Sequence, residues 1–493
     1  MQHLLAIDQS TSATKAVLFD LQGRVLDSAS CEHRQSYPQA GWVEHDAEEI
    51  WRNTLAVTGE VLNRSPGNAR AVTCVSIANQ RETIVVFDKC TGQPLHPAIV
   101  WQCRRGASLC GTQVALGREA ALRRKTGLQI DSYFSGSKLQ WLVRERPDIA
   151  ARLRRGDAAI GTIDTYLIYR LTGGVVFATD PTNACRTLLY DIAQLRWDDE
   201  LCAWWQVPRE ALANVRSSDA HFGDTTLSGQ LPQPVPIRGV MGDSQAALFA
   251  HRCLDAGSAK VTFGTGSSVL FNAGQDLPAV GRGTVATLAW VRAGRPTYAL
   301  EGIITSSAAT LTWLRDQLGI LDRTSDSEAL ARDVVDDEAV YVVPAFSGLG
   351  APYWRDGARG AIVGLSAHSD RRHVVKAALE SIAYQLRDVL EMMHSEGGPQ
   401  LREIRADGGA TANLFLMQFV ADILGVELRV AGHWDAAASG AALMGALGSG
   451  LRIPAAGFTG PDEMVYRRTM APEQAQARYA GWLRAVKQVL CVA

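Results

Sequence analysis

One short pattern occurs twice in this chain, about half a chain apart, and it restricts the folds open to the sequence. In the first copy, Leu4-Leu5-Ala6-Ile7 is followed by the polar run Asp8-Gln9-Ser10-Thr11-Ser12-Ala13-Thr14-Lys15 and then by Ala16-Val17-Leu18-Phe19. In the second, Ala259-Lys260-Val261-Thr262-Phe263 is followed by Gly264-Thr265-Gly266-Ser267-Ser268 and then by Val269-Leu270-Phe271. Each copy reads as strand, hydroxyl-rich turn, strand. Repetition at this separation points to an internal duplication. Hydroxyls and backbone N–H groups in a tight hairpin can hold phosphate oxygens, and an acid such as Asp8 can hold a magnesium ion through water. Two such hairpins facing each other across a cleft would clamp a triphosphate from both sides. Taken alone, the first copy reads as a polar hairpin with no ligand, and it is the second copy that brings in the phosphate reading.

Composition closes off other classes. The chain has 493 residues, enough for about two to four domains. Lys and Arg number 49 against 51 Asp and Glu, so nothing in the charge balance favours nucleic acid or an anionic membrane. The N-terminus lacks the basic start and apolar run of a signal peptide, and no apolar run reaches the roughly 18 residues of a membrane span. Nine cysteines without a C-x-x-C pair fit reduced thiols in a cytoplasm. Zinc spacing and H-E-x-x-H are absent. No Gly-Lys dipeptide occurs, which excludes a Walker-type loop, and Gly264-Thr265-Gly266 lacks the third glycine of a dinucleotide fingerprint.

The remaining motifs each admit two readings. A helix is predicted over 46–62, capped by Asp46 with Glu49 three residues on. Strands at 72–78 and 84–87 flank Arg81 and Glu82, which read either as an exposed, inert pair or as a donor and acceptor for neighbouring hydroxyls of a polyol. Trp101 and Tyr133 read as core or as the wall of a pocket. Asp164 reads as a helix cap. Pro232, Pro234 and Pro236 form a stiff connector, with a domain boundary expected near 247–255. Just after the connector, Gly242 turns the chain and a helix is expected from Gln245. Asp243, at that junction, is either an N-cap or a reacting group. Gly408-Gly409 reads as a strand-to-helix junction that lets a nucleotide approach, or as a tight turn.

Several of these runs occur together in a known family. Asn79-Gln80-Arg81-Glu82-Thr83, Trp101-Gln102-Cys103-Arg104-Arg105, Tyr133-Phe134-Ser135-Gly136, Gly242-Asp243, Gln245-Ala246-Ala247-Leu248, Gly264-Thr265-Gly266, Ala351-Pro352-Tyr353-Trp354 and Asp407-Gly408-Gly409-Ala410 fall in the family's order. On them the sequence resembles the FGGY carbohydrate kinases, and within these the glycerol kinases, over almost its whole length. The resemblance implies an α/β chain of two RNase H-like (actin-like) ATPase domains with a central interdomain cleft. Residues 1–247 would form the substrate-binding domain carrying the catalytic base, and 248–493 the nucleotide-binding domain. Asp243 would take the proton of the attacking hydroxyl. Arg81, Glu82, Trp101, Tyr133, Asp243 and Ser244 would bind a small polyol. Thr11, Ser12, Lys15, Thr265, Ala308, Thr312, Gly409 and Asn413 would contact ATP, with Mg2+ near Asp8 and Asp243. A cytoplasmic homodimer or homotetramer is implied.

Departures from the family pattern bear on the substrate. Ser244 stands where glycerol kinases have Gln, and Ser267-Ser268 where they have Cys-Phe or a similar pair. Both changes shrink side chains, so a roomier pocket for a four- or five-carbon polyol or ketose is the alternative. Lys15 replaces an Arg, and Ala308 and Thr312 replace a Gly and a Gln near the base. Pro232-Gln233-Pro234 replaces a Gly-Thr-Arg loop, leaving no guanidinium fork to bind fructose bisphosphate. Readings of another class are an actin-like ATPase scaffold and a sugar-binding regulator without transfer.

Overall fold

The computed structural model describes all residues except 1, 65–66, 280, 282, 335–339, 347, 356, 433–434, 455–457, 459–462 and 493. Two sheets carry the architecture. The first is built on β1 (His3–Gln9), β2 (Ala13–Asp20), β3 (Val25–Glu32), β4 (Val72–Asn79) and β5 (Val235–Gly242). The second is built on β6 (Ser258–Phe263), β7 (Ser267–Gly274), β8 (Arg295–Ile304), β9 (Glu403–Asp407) and β10 (Glu427–Val430). Their orders are β3-β2-β1-β4-β5 and β8-β7-β6-β9-β10, with short or peripheral strands added at the edges. In each sheet the first three strands pair antiparallel and the last two join in parallel. The weak sequence repeat is therefore a full structural duplication. This is the RNase H-like (actin-like) plan expected.

Helices recur at matching places. α1 (Ala47–Asn63), α2 (Ile163–Leu171) and α3 (Asp243–Ala250) follow β3, β4 and β5. α4 (Arg371–Ser395), α5 (Leu414–Leu424) and α6 (Ala436–Gly448) follow β8, β9 and β10. Strand alternation sorts the core: Leu5 and Ile7 of β1 pack with α1 and α2, while Leu4 and Ala6 pack with α3 and α6. Both faces of β1 are thus buried, and its apolar residues run continuously instead of alternating with polar ones. Among the described residues no helix is long and apolar enough to cross a membrane.

α6 belongs to the second half but lies against α3 and the strands β4 and β5 of the first. The two helices meet at Gly440, where a Cβ would fall 1.8 Å from the carbonyl oxygen of Ala246. Only a residue without a side chain allows this approach.

Several local expectations are corrected. The hairpin turns are short, four residues (10–13) in the first and three (264–266) in the second, because Asp8 pairs with Lys15, Thr14 with Gln9, and Ser267 and Ser268 with Phe263 and Thr262. Pairing satisfies backbone groups that a longer polar turn would leave open. Asp46 caps α1 by accepting from the Glu48 N–H at 2.9 Å, but Glu49 accepts from the Arg34 N–H at 3.4 Å instead of reaching back to the cap. Asp164 is no cap. It is buried and accepts from the hydroxyls of Thr162 at 2.5 Å and Thr179 at 2.7 Å, tying α2 to the segment that follows it. α3 begins at Asp243, two residues earlier than predicted, with Gly242 as N-cap. After Gly408-Gly409 comes one 3-10 turn, and α5 starts only at Leu414.

Candidate active site

Asp8 near the end of β1 and Asp243 at the start of α3 line one cleft of about 680 Å³. Ser244, Lys260, Asp407 and Gly409 line it as well. The Oδ1 of Asp8 is buried with no hydrogen-bond partner among the described residues. Burial first, and the Asp243 charge second, push the Asp8 carboxyl up to about 7, against the pull of Lys15. Lys15 is itself paired with Asp435, which precedes α6. Asp243 does not cap its helix. Its Oδ1 accepts from the Ser244 N–H at 2.6 Å and lies 3.4 Å from Arg81 Nε. Its Oδ2 accepts no hydrogen bond among the described residues and stays available at the cleft.

The exposed-pair reading of Arg81 and Glu82 does not hold. Both are buried, and they belong to a network of four charges with Arg186 and Glu301. Arg81 Nη2 lies 3.0 Å from Glu301 Oε1, Arg186 Nη1 lies 2.6 Å from Glu301 Oε2, and Arg186 Nε lies 2.6 Å from Glu82 Oε1. Buried charges persist only when paired in this way. Burial works against the charge on Glu301, but the two guanidiniums outweigh it and hold the carboxyl down at about 2. Among the described residues Glu82 pairs with the Arg186 guanidinium, and burial outweighs the pull of Arg186 and Arg81 and leaves its carboxyl raised. The Glu82 backbone sits at φ 62°, a left-handed conformation costly for a side-chain-bearing residue. The Ser135 hydroxyl donates to its carbonyl at 2.9 Å and helps hold it there.

Trp101 and Tyr133 stand together, edge to face, with ring centroids 5.4 Å apart. The Trp101 indole N–H donates to the Thr11 hydroxyl at 2.9 Å, so the first hairpin is tied directly to this aromatic wall. Tyr133 sits on a loop gripped by Lys138, whose ammonium donates to the carbonyls of Ser132, Tyr133 and Phe134 at 2.5, 2.7 and 3.1 Å. Burial pulls the Lys138 amine down to about 8. Below that pH the ammonium is charged both folded and unfolded, and the fold bears the full cost of burying it. The unfolded chain holds more protons between about 8 and the ordinary lysine value, so this contribution grows more favourable as pH rises. Relative to Lys138→Met, the wild type should therefore gain about 1–2 kcal/mol of stability between pH 7.5 and 9.5. Denaturant unfolding of both proteins at the two pH values measures this; an unchanged difference would refute it.

The second hairpin organises the other nucleotide candidates. The Thr265 carbonyl accepts from Ser307 N–H and Ala309 N–H, and the Gly264 carbonyl accepts from Ala308 N–H. Ala308 and exposed Thr312 thus open the helix Ala309–Asp316 beside that turn, off the part of the cleft lined by Asp8 and Asp243. Thr11 and exposed Ser12 form the first turn. Gly408 has φ 99°, and a Cβ on it would fall 2.4 Å from the Phe263 carbonyl; Gly409 has open space around it. The first glycine therefore serves the fold, and the second leaves room at the cleft. Asn413 caps α5 by accepting from Leu416 N–H at 2.9 Å, and its amide donates to the Ser327 hydroxyl at 3.2 Å. Register places Ser268 opposite Ile303 on the face of the sheet that also carries Thr262 and Glu301. Ile303 is 48% exposed.

Arg186, Glu301 and Lys138 have no assigned role on sequence grounds, although the first two carry a signal. Glu301 is a lone charge in the apolar strand Ala299-Leu300-Glu301-Gly302-Ile303-Ile304, and Arg186 lies between Ala184-Cys185 and Leu188-Leu189. A charge in such surroundings requires a buried partner.

The chain matches the sequence description of the FGGY family of carbohydrate kinases, N-terminal domain, over residues 3–250, and of the C-terminal domain over 259–449. It is 45% identical over 498 residues to the glycerol kinase of Xanthomonas euvesicatoria pv. vesicatoria, covering 99% of this chain and 98% of that one. It is 43% identical over 496 residues to glycerol kinase 1 of Thermotoga maritima, covering 99% of each. The structure of Plasmodium falciparum glycerol kinase with ADP superposes with a TM-score of 0.93 at 33% identity, over 99% of this chain and 98% of that one. A xylulose kinase from Rhodospirillum rubrum, at 21% identity and a TM-score of 0.88 over 100% and 99% of the two chains, shares the fold. With both family domains present in order and relatives matched end to end, the duplicated sheets and their cleft have one assignment: the chain belongs to the FGGY family of carbohydrate kinases.

Proposed function

We propose that this protein phosphorylates a primary hydroxyl of glycerol, or of a closely related small polyol, with ATP. The observation that carries this reading is Asp243. Its carboxylate lines the cleft shared with Asp8 and Gly409, and its Oδ1, the oxygen already bonded to Ser244 N–H, lies 3.4 Å from Arg81 Nε. The polyol lies against Trp101 and Tyr133, with its hydroxyls on Arg81 and Glu82. ATP spans the two hairpins, with its phosphates at the turns 10–13 and 264–266. Asp243 accepts the proton of the attacking hydroxyl as that oxygen bonds to the γ-phosphorus and the bond to the ADP oxygen breaks. Phosphoryl transfer asks the protein mainly for in-line placement and charge stabilisation, which a closed cleft supplies.

The donor set fits Mg2+. The orphaned Oδ1 of Asp8 is a hard oxygen donor on the cleft that Asp243 also lines, and Asp243 would meet the ion only through water while its free oxygen serves as the base. When bound, the ion supplies neutralisation of phosphate charge. Lys15 is positioned to leave Asp435 for a phosphate.

The likeness to glycerol kinases along the whole chain favours glycerol over the four- and five-carbon alternatives. Across glycerol, erythritol, threitol, xylulose and ribulose, kcat/KM should be highest for glycerol. A higher value for any longer substrate would replace this reading with that of a larger-sugar kinase. ATP turnover independent of all five would favour the scaffold reading instead.

A further inference from the structure

Glu301 comes from β8 in the second sheet, whereas Arg81, Glu82 and Arg186 all come from the first half of the chain. One carboxylate from the second half thus closes a chain of charges made by the first. Its two oxygens are divided between two guanidiniums, Oε1 facing Arg81 at 3.0 Å and Oε2 facing Arg186 at 2.6 Å. Arg186 in turn holds Glu82 at 2.6 Å. All four side chains are almost fully buried, so water cannot substitute for a missing partner.

Arg81 has two competing acids within reach, Glu301 and the more distant Asp243. Held by Glu301, the guanidinium keeps its Nε toward Asp243 without moving fully onto it. Glu82, bearing a left-handed backbone, is likewise fixed from outside, by Arg186 and by the Ser135 hydroxyl. We propose that Glu301, acting with Arg186, is a positioning residue: it sets Arg81 and Glu82 for the polyol hydroxyls and makes their placement depend on contact between the two halves. The proposal rests on the assignment of Arg81 and Glu82 to the polyol. It requires no contact between Glu301 and either substrate.

The test is steady-state kinetics of Glu301→Gln, Glu301→Asp and Arg81→Gln on the full chain, with far-UV circular dichroism and thermal midpoints. Glu301→Gln keeps the shape and removes the charge. It should raise the KM for glycerol about 10- to 100-fold and change the KM for ATP less than about twofold. Glu301→Asp keeps the charge but cannot span both guanidiniums; its glycerol KM should fall between wild type and Glu301→Gln. If Glu301→Gln does not fold, the Asp variant carries the test through the same glycerol-specific rise. In an Arg81→Gln background, Glu301→Gln should raise the glycerol KM by less than it does in the wild type, because the part of its effect that passes through Arg81 is already lost and only the part through Arg186 and Glu82 remains. An unchanged glycerol KM in the folded Glu301 variants, or equal rises for both substrates, overturns the proposal. If Arg81→Gln raises the glycerol KM and the Glu301 variants do not, this inference alone fails. If Arg81→Gln leaves that KM untouched, the polyol assignment itself fails.

Discussion

Asp243→Asn should lower kcat by about 10²–10⁴, with the KM values for glycerol and ATP changed only a few-fold. The substitution is close to isosteric. An amide oxygen can still accept from the Ser244 N–H, so the start of α3 should be preserved. Arg81 does not lose its main partner, since Glu301 lies closer to it than Asp243 does. What disappears is a group able to take a proton from the attacking hydroxyl. The loss should therefore fall on turnover and not on binding. An unchanged kcat, with circular dichroism confirming the fold, would move the base elsewhere in the cleft.

The second large effect is expected far from the chemistry. Gly440→Ala places a methyl group 1.8 Å from the Ala246 carbonyl oxygen, and backbone has no rotamer with which to yield. Helix propensity favours alanine over glycine by up to about 1 kcal/mol. Overpacking at a backbone contact costs about 1–3 kcal/mol or more, so the clash wins and the protein should be destabilised. Gly440→Val adds two further carbons and should abolish soluble, active enzyme. Gly111, in the helix Ala107–Ala115, has nothing within 4 Å of its notional Cβ and supplies the control. Gly111→Ala should be neutral or slightly stabilising. Equal thermal midpoints for Gly440→Ala and wild type would show that α3 and α6 can separate at no cost.

The contrast between these two positions shows what a sequence exposes. Asp243 is conspicuous because it follows an apolar strand end and a glycine, a local arrangement. Gly440 sits in the small-residue run Ala436-Ala437-Ala438-Ser439-Gly440-Ala441-Ala442, where nothing local says that a carbonyl from residue 246 presses on it. The duplication was legible because strand, turn and strand are contiguous in each copy. The turn lengths were not, because pairing drew Thr14, Ser267 and Ser268 into strands despite their polarity. Arg81 and Glu82 could be picked out as a pair, but their burial depends on Arg186 and on Glu301, which arrives from the other sheet. Asp164 misled for the same reason: an acid near a helix start reads as a cap unless one knows that the Thr179 hydroxyl lies within 2.7 Å of it.

Counting back from the last pairs, Gln9 with Thr14 and Phe263 with Ser267, Asp8 in β1 occupies the place that Thr262 holds in β6, and the Ser10-Thr11-Ser12-Ala13 turn matches Gly264-Thr265-Gly266. The two walls of the cleft share one plan, but at this position the acid appears on one wall and the glycines on the other. Duplication by itself would have produced a groove that treats both ends of a bound chain alike. Divergence at these few positions gives the groove a polarity. A triphosphate laid between the hairpins meets Asp8 and Asp243 from the first half, and Lys260 paired with Asp407 beside the open Gly409 from the second, and on the proposed reading this difference fixes which end of the nucleotide is presented for transfer.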